Sequence, residues 1–201
     1  MERPSIANGL ANQVGRHARV GNVVKATLSS ERLDPLRSKS LQDGVQQHFE
    51  TVSVCLSKGL GAPAGSLLTT NDPGMMDRAR RFRRMYGGAM RQAGILAAAG
   101  IYALEHHVSR LKDDHDNAKR LARKLQQIPA ISINPQHVDS NIVMFDVVGS
   151  RLPPSVIVAA LKQEGVLINA VGGTSYRAVT HLDVSPKQID VAAEIFGRVL
   201  R

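Results

Sequence analysis

The sequence has little of several features that mark other classes of protein. Its 201 residues include one cysteine, Cys55, which excludes an intrachain disulfide framework and favours a reducing compartment. No apolar run is long enough to span a bilayer, so we predict no membrane association. Residues 1–22 lack the apolar segment of a secretory signal peptide. We therefore expect a cytoplasmic protein, and the arginines near the N-terminus leave a mitochondrial location open.

Aromatic residues are scarce as well. They make up 3% of the chain, and tryptophan is absent. The core must therefore be built mainly from Ala, Val, Leu and Ile. With 201 residues and a hydrophobic fraction of 43%, the chain can form one sizeable core, which corresponds to one domain with or without part of another. Cys55 lies in an apolar run, where a small buried hydrophobe is a better interpretation than a catalytic thiol.

Acidic residues are outnumbered by basic ones. The chain has 26 Lys and Arg against 17 Asp and Glu, a net charge of +9. Such an excess is typical of nucleic-acid-binding proteins. The sequence lacks zinc-finger spacing and an aromatic stacking set, however, and five of its arginines fall between residues 78 and 84 on one predicted helix. We predict that these arginines form a solvated face or an edge that contacts phosphate and a partner, and we predict no specific nucleic-acid partner. Non-specific polyanion binding is an alternative.

The apolar pattern becomes regular after residue 49. It predicts strands at residues 51–56 and 65–70, which places Lys58 in the loop between them. An apolar stretch thus ends in a lysine that is followed at once by glycine-rich backbone. A lysine that is partly dehydrated can attack an aldehyde cofactor as the free base, and nearby glycines leave room for a flat ring. The alternative is a surface lysine that begins a turn.

Three helices are predicted next. Asp72 and Pro73 are typical of a helix start, and this helix runs to Tyr86. A second helix, residues 90–107, is apolar nearly all round and should be buried. The third, residues 108–127, is amphipathic, with five residues predicted to face inward: Leu111, Ala118, Leu121, Ala122 and Leu125.

The remaining sequence predicts a three- or four-stranded antiparallel sheet with helices on one side. The predicted strands are residues 131–133, 141–148, 166–170 and 176–182, and the predicted helices are residues 154–164 and 186–199.

Three segments in the same order carry a resemblance to a known family. They are residues 52–66 around Lys58, residues 87–94 (GGAMRQAG) and residues 176–184 (YRAVTHLDV). Together they resemble the low-specificity L-threonine aldolases, which use pyridoxal 5'-phosphate and have the aspartate-aminotransferase-like (type I) fold. The resemblance covers residues 49–201 approximately. Ala89 stands where the family usually has a third glycine.

The resemblance implies roles for four residues. Lys58 would bind pyridoxal phosphate covalently, and Ser57 would donate to its phosphate unless it serves a local turn. Arg91 would approach the cofactor site, where a dimer partner could also supply it; the alternative is a surface arginine in a first helical turn. Arg177 would bind the substrate's α-carboxylate, or is simply a sheet-edge arginine.

The implied reaction is carbon–carbon cleavage of L-threonine or L-allo-threonine to glycine and acetaldehyde, in amino-acid metabolism. His181 is either structural or catalytic. Six residues resemble metal ligands on paper, but their helical spacing favours a solvated face and no metal: His106, His107, Asp113, Asp114, His115 and Asp116.

The resemblance also shows what is missing. Only 57 residues precede Lys58, too few for the family's large domain with its ring-stacking residue and its pyridinium-binding aspartate. We therefore expect an α/β fold consisting of an incomplete type I large domain and a small α+β C-terminal domain. The expected divisions are a divergent segment (1–48), a large-domain remnant (49–98) and the small domain (99–201). A competent chain would be a homo-oligomer; the alternative is a non-catalytic, truncated member that pairs with full-length subunits.

Overall fold

The structure, a computed structural model, describes residues 50–201. These residues form two compact units that divide between Leu111 and Lys112. The predicted segment at residues 1–48 lies outside the described part of the chain. The boundary at residue 99 stays a prediction, because a compact unit need not share its border with a domain of the family.

The described residues of the first unit contain two strands and two helices. They are β1 (Val52–Cys55), β2 (Ser66–Thr69), α1 (Pro73–Met85) and α2 (Gly94–His106). The strands pair in antiparallel fashion, with Val52 opposite Thr69. Val52 and Val54 are buried, as expected for alternating positions on one face of a strand. Both predicted strands are confirmed to within one or two residues.

Helix α1 begins where the sequence predicts it. The Asp72 carboxylate accepts a hydrogen bond from the Gly74 backbone N–H at 2.8 Å, and Pro73 occupies the first helical position. This cap satisfies one of the backbone donors that a helix start leaves unpaired. The helix ends at Met85, and Gly87 just beyond it has a positive φ of 74° that is unfavourable for residues with a Cβ.

Helix α2 differs from its prediction in two respects. It begins at Gly94 and not at Met90, since Gln92 has a left-handed φ of 52° that interrupts a helix. It is also not buried all round: Gly100 and Ala103 are its buried residues, whereas Ile95 is 81% exposed. The prediction of burial is therefore wrong for residues 50–201 on their own. The apolar pattern remains, and nothing in the described residues covers it.

The second unit is built around a four-stranded sheet. Its elements are α3 (Leu111–Leu125, with Leu111 in the first unit), β3 (Ile131–Ser132), β4 (Ile142–Val147), α4 (Pro154–Gln163), β5 (Asn169–Gly172), β6 (Ser175–Val179) and α5 (Pro186–Val199). The strand order is β3-β4-β6-β5, and every neighbouring pair is antiparallel. The predicted antiparallel sheet is confirmed.

Two strand boundaries in this unit are corrected. The strand predicted at residues 166–170 begins only at Asn169, because the Val166 N–H bonds to the Leu161 carbonyl at 2.8 Å and still closes the end of α4. Strand β6 stops at Val179, three residues before its predicted end. Its successor, Thr180, turns its hydroxyl to the Asp114 carbonyl at 2.6 Å.

One face of this sheet is packed and the other is open. Along β4, Val143, Phe145 and Val147 are buried, while Met144 between them is 48% exposed. The Phe145 ring stacks on Tyr176 at 5.7 Å between centroids and meets the Phe196 ring edge-on at 5.5 Å. Residues of α3, α4 and α5 share this core, so the helices lie on one side of the sheet as predicted.

The helices that pack on this sheet have the inward-facing residues and the end cap expected of them. All five residues predicted to face inward from α3 are buried. Helix α5 begins with a reciprocal cap between Ser185 and Gln188. On the surface, Arg120 donates two hydrogen bonds to Asp190 at 2.7 and 2.6 Å, and Lys124 lies 3.1 Å from the same carboxylate. These hydrogen bonds from Arg120 and Lys124 lower the pKa of Asp190 to about 2.

Candidate functional site

Lys58 lies in a short closed loop between β1 and β2. Leu56 frames this loop, since its N–H donates to the Gly65 carbonyl and its carbonyl accepts from the Ala62 N–H, both at 3.0 Å. The Gly61 N–H donates to the Lys58 carbonyl at 2.8 Å, which makes Lys58 the first residue of a four-residue turn. The lysine is therefore positioned by backbone hydrogen bonds on both sides.

A small apolar cluster supports the loop from below. Its buried residues are Leu56, Leu60, Ala62, Ala103 and Leu111. A Cβ on Gly59 would come within 2.9 Å of Leu111 Cδ2, so the loop packs too closely there for a side chain. Gly61 and Gly65 have positive φ angles of 69° and 110°. These glycines are needed by the loop itself, and their use as space for a ring stays a prediction.

The side chains at the top of the loop are exposed. Both Ser57 and Lys58 are exposed within residues 50–201. The dehydration expected of a lysine that attacks an aldehyde must therefore come from a ligand or from further polypeptide. The Ser57 hydroxyl lies 3.4 Å from the Sγ of Cys55, which is half-buried rather than buried. A serine hydroxyl and a lysine amine are thus carried by adjacent exposed residues of one loop.

Arg91 also belongs to the first unit. It is exposed and lies in the turn that precedes α2, three residues before Gly94. The expectation that it opens the helix is corrected, because the left-handed Gln92 separates it from the first turn. Its role toward a phosphate stays a prediction.

Arg177 lies on the open face of the sheet in the second unit. On β6 it stands between the buried residues Tyr176 and Ala178 and is itself exposed. Its Cα partners are Met144 on β4 and Asn169 on β5. Among residues 50–201, no carboxylate lies within ion-pair distance of its guanidinium. The arginine is thus central in the sheet, not at its edge, and can bind an external anion.

The sequence alone does not reveal the neighbours of Arg177. Asn169 faces it only because β5 and β6 pair in one particular register, and no motif marks this asparagine. Asp146 is similar: one row further along the sheet, it accepts hydrogen bonds from Ser175 at 2.5 Å and Thr174 at 3.3 Å. These bonds occupy the carboxylate beside the turn that joins β5 to β6.

Among the described residues, no group of three His, Cys, Asp or Glu side chains is placed to hold a metal ion. The absence of a metal stays a prediction. The proposed reason, a solvated face, is wrong for Asp114 and His115, which are 1% and 2% exposed. They belong to the packed side of α3. Burial lowers the pKa of His115, and the nearby Lys119 lowers it further.

His181 follows Arg177 by four residues but is not on the strand. It is half-buried, and its Nδ1 lies 3.8 Å from the Asp183 carboxylate. The geometry is compatible with a structural role and with a catalytic one, so both interpretations of this residue stand.

In the part of the chain that the structure describes, no helix is long and apolar enough to cross a membrane.

Comparison with known proteins places these features in a family. The Beta-eliminating lyase family matches residues 18–148. The low specificity L-threonine aldolase of Escherichia coli K12 is 46% identical over 150 residues, which is 74% of this chain and 43% of the relative. Low-specificity L-threonine aldolase 1 of Arabidopsis thaliana is 32% identical over 190 residues, covering 90% of this chain and 53% of the relative. The chain therefore spans about half the length of the curated relatives it matches.

Solved structures show the same fold. A protein assigned as an L-allo-threonine aldolase from Listeria monocytogenes matches with a TM-score of 0.65 at 18% identity, over 92% of this chain and 56% of that one. A PLP-dependent aminotransferase from Streptococcus suis matches with a TM-score of 0.59 at 17% identity, over 75% of this chain and 41% of that one. The predicted fold class, an incomplete type I α/β domain followed by an α+β part, is confirmed.

Proposed function

Since this chain belongs to the Beta-eliminating lyase family, with threonine aldolases among its relatives, we propose that it derives from a pyridoxal-phosphate-dependent carbon–carbon lyase. The proposed reaction is cleavage of L-threonine or L-allo-threonine to glycine and acetaldehyde. The observation that carries this proposal is the Lys58 loop. It presents an amine and a hydroxyl from adjacent residues of a loop that backbone hydrogen bonds close.

The residues of this loop fit one end of pyridoxal phosphate. The Lys58 amine suits its aldehyde, and the Ser57 hydroxyl suits a phosphate oxygen. Gly59 is required by its close packing against Leu111 beneath the loop. When bound, the cofactor supplies an electron sink for the pair left on Cα when the Cα–Cβ bond breaks. Lys58 would hold the cofactor, and Arg91 would add positive charge for its phosphate.

Substrate orientation is assigned to the second unit. Arg177 presents a guanidinium on the open sheet face, between apolar and amide neighbours. An arginine guanidinium can donate a hydrogen bond to each oxygen of an α-carboxylate, which fixes the direction of the amino acid. We propose that Arg177 binds this carboxylate and that its fixed place on β6 limits how the substrate can rotate.

The cofactor assignment is tested by titrating purified full-length chain with pyridoxal phosphate and recording the absorption spectrum. We expect a saturable band for the unchanged chain and its loss in Lys58→Ala. Lys162→Ala, which removes an exposed lysine from α4, is the matched control and should retain the band. Equal titrations for Lys58→Ala and the unchanged chain would contradict the assignment.

A second candidate function is that of a non-catalytic partner for full-length subunits. The specific observation in its favour is α2, whose apolar residues Ile95, Ile101 and Tyr102 are 81%, 56% and 56% exposed. A surface of this kind is typical of an interface that a further polypeptide covers. The same surface supports a homo-oligomer if the chain is catalytically competent.

This alternative is tested by co-expressing the tagged chain with the full-length Escherichia coli relative. Co-purification is expected, with a marked loss for Ile95→Asp. Leu167→Asp provides the control, because Leu167 is 75% exposed but lies in the second unit, away from α2 in sequence. Absence of co-purification would rule out the pairing. Equal loss of co-purification in Ile95→Asp and Leu167→Asp would show that α2 is not the pairing surface.

A further inference from the structure

Arg177 is the middle residue of a row that crosses three strands of the open sheet face. Met144 on β4 is its partner on one side, and Asn169 on β5 is its partner on the other. Directly opposed residues of neighbouring antiparallel strands carry side chains on the same face, with Cα atoms about 4.5–5.5 Å apart. Asn169 and Arg177 are therefore close enough to contact the same small ligand.

The pairing with β6 places Asn169 on the open face. All four residues of the edge strand β5 are exposed, so burial alone does not distinguish its two faces. On β6, Arg177 is exposed and the adjacent Tyr176 is buried, and their partners on β5 are Asn169 and Ala170 respectively. Because successive strand residues point to opposite faces, Asn169 shares the open face with Arg177.

The register that brings them together is fixed locally. The β5–β6 pairing contains a bulge between Ala170 and Gly172, and the connecting turn has Gly172 and Gly173 at φ 133° and 55°. A bulge of this kind pins a strand register, and the two glycines adopt conformations that other residues rarely take. Asn169 is therefore held opposite Arg177 by the hairpin itself.

We propose that Asn169 is a second carboxylate-binding residue of the amino-acid site, acting beside Arg177. A carboxylate has about four acceptor positions, of which a bidentate guanidinium occupies two. The Asn169 amide can donate to a third without adding a charge that would neutralise Arg177. Met144, on the other side, offers apolar contact but no donor, so the amide also makes the row asymmetric.

This inference rests on the proposed function for the identity of the ligand, and its test separates the two. Full-length ¹⁵N-labelled chain is titrated with glycine and, as a probe that lacks the carboxylate, with methylamine. We expect saturable shifts of the Asn169 side-chain amide and the Arg177 guanidinium with glycine only. Repeating the titration in Lys58→Ala asks whether the carboxylate site exists without the cofactor lysine.

Three substitutions complete the test. Asn169→Ala should weaken glycine binding about three- to tenfold, as expected for the loss of one exposed hydrogen bond to a charged group. Asn169→Asp should weaken it further, because its carboxylate repels the ligand and pairs with Arg177. Gln163→Ala, which removes an exposed amide from the end of α4, should leave glycine binding unchanged.

The outcomes are distinct. Loss of binding in Arg177→Lys with unchanged binding in Asn169→Ala would overturn the inference and leave the role of Arg177 intact. Absence of saturable glycine binding, or equal shifts with glycine and methylamine, would overturn both this inference and the proposed role of Arg177. If Asn169→Ala weakens glycine binding as expected but the chain gives no pyridoxal-phosphate band, the result supports the inference and counts against the cofactor assignment alone.

Discussion

Replacing Phe145 tests the sheet register on which the Arg177 row depends. Phe145 is 3% exposed and contacts two aromatic rings, Tyr176 at 5.7 Å and Phe196 at 5.5 Å. Removing a buried Phe side chain costs about 3–5 kcal/mol through lost transfer free energy and the cavity left behind. Phe145→Leu keeps most of the apolar volume and should lose mainly the two ring pairs, about 1–3 kcal/mol at about 0.5–1.5 kcal/mol each.

Met144 provides a matched control on the same strand. It is adjacent in sequence, similar in hydrophobicity and 48% exposed on the open face. Met144→Ala should change the free energy of unfolding by no more than about 0.5 kcal/mol. The contrast arises because successive strand residues face opposite sides, so a slip of one residue would exchange the two.

The assay is urea unfolding of the full chain followed by far-UV circular dichroism, since the sequence has no tryptophan for fluorescence. With a denaturant slope of about 1–3 kcal/mol per M, Phe145→Ala should lower the midpoint of the affected transition by at least about 1 M. The two compact units can unfold separately, so the midpoint of each transition is compared individually. Equal shifts for Met144→Ala and Phe145→Ala would refute the register.

Three further predictions concern single buried or capping groups. The lowered pKa of His115 means that the unfolded chain binds its proton more readily, so stability should fall as pH drops below about 6.5, and His115→Gln should remove that part of the pH dependence of urea midpoints. Thr180→Val leaves the Asp114 carbonyl without its 2.6 Å hydrogen bond in a buried site and should cost about 1–3 kcal/mol in the same unfolding assay. Asp72→Ala removes the acceptor for the Gly74 N–H and should lower the free energy of unfolding by about 0.5–2 kcal/mol. The measurement is the loss of helical circular dichroism signal and the lower urea midpoint.

Each of these has its own contrary result. A stability that rises on acidification through the His115 range would mean that the histidine is charged in the folded chain. A Thr180→Val variant as stable as the original would show that the buried hydroxyl contributes nothing net. An Asp72→Ser variant should restore the cap, and its failure to do so would assign the effect of Asp72→Ala to something other than capping.

Local signals predicted most of the elements. The Asp72-Pro73 start of α1 and the inward residues of α3 depend on contacts within a few residues, and they appear as the sequence indicates. Strand β5 begins later than predicted because the Val166 N–H bonds to the Leu161 carbonyl and closes the end of α4. The apolar pattern of residues 166–170 does not show that its first residues serve the preceding helix.

The burial of α2 was predicted from composition and is not seen in residues 50–201. An apolar helix indicates that some surface covers it, but composition does not say whether that surface belongs to the same compact unit, to residues outside the described range or to another chain. Ile95 illustrates this, because its exposure of 81% is a property of what surrounds it and not of its own sequence.

The candidate site divides in the same way. Lys58 was found from a run of consecutive residues, because the strand, the lysine and the glycines are neighbours in sequence. Asn169 cannot be identified from consecutive residues, because it lies next to Arg177 through strand pairing across a bulged hairpin. The binding roles of Ser57, Arg91 and Arg177 remain proposals. The structure gives the position of each of these residues.

The most direct test of the central claim is borohydride reduction of the chain after incubation with pyridoxal phosphate, followed by peptide mass mapping. The account predicts one dominant reduced adduct, on Lys58, at cofactor concentrations near that of the protein. Adducts spread over surface lysines such as Lys112 and Lys162, or no adduct at all, would contradict it, and the chain would then be treated as a non-catalytic relative.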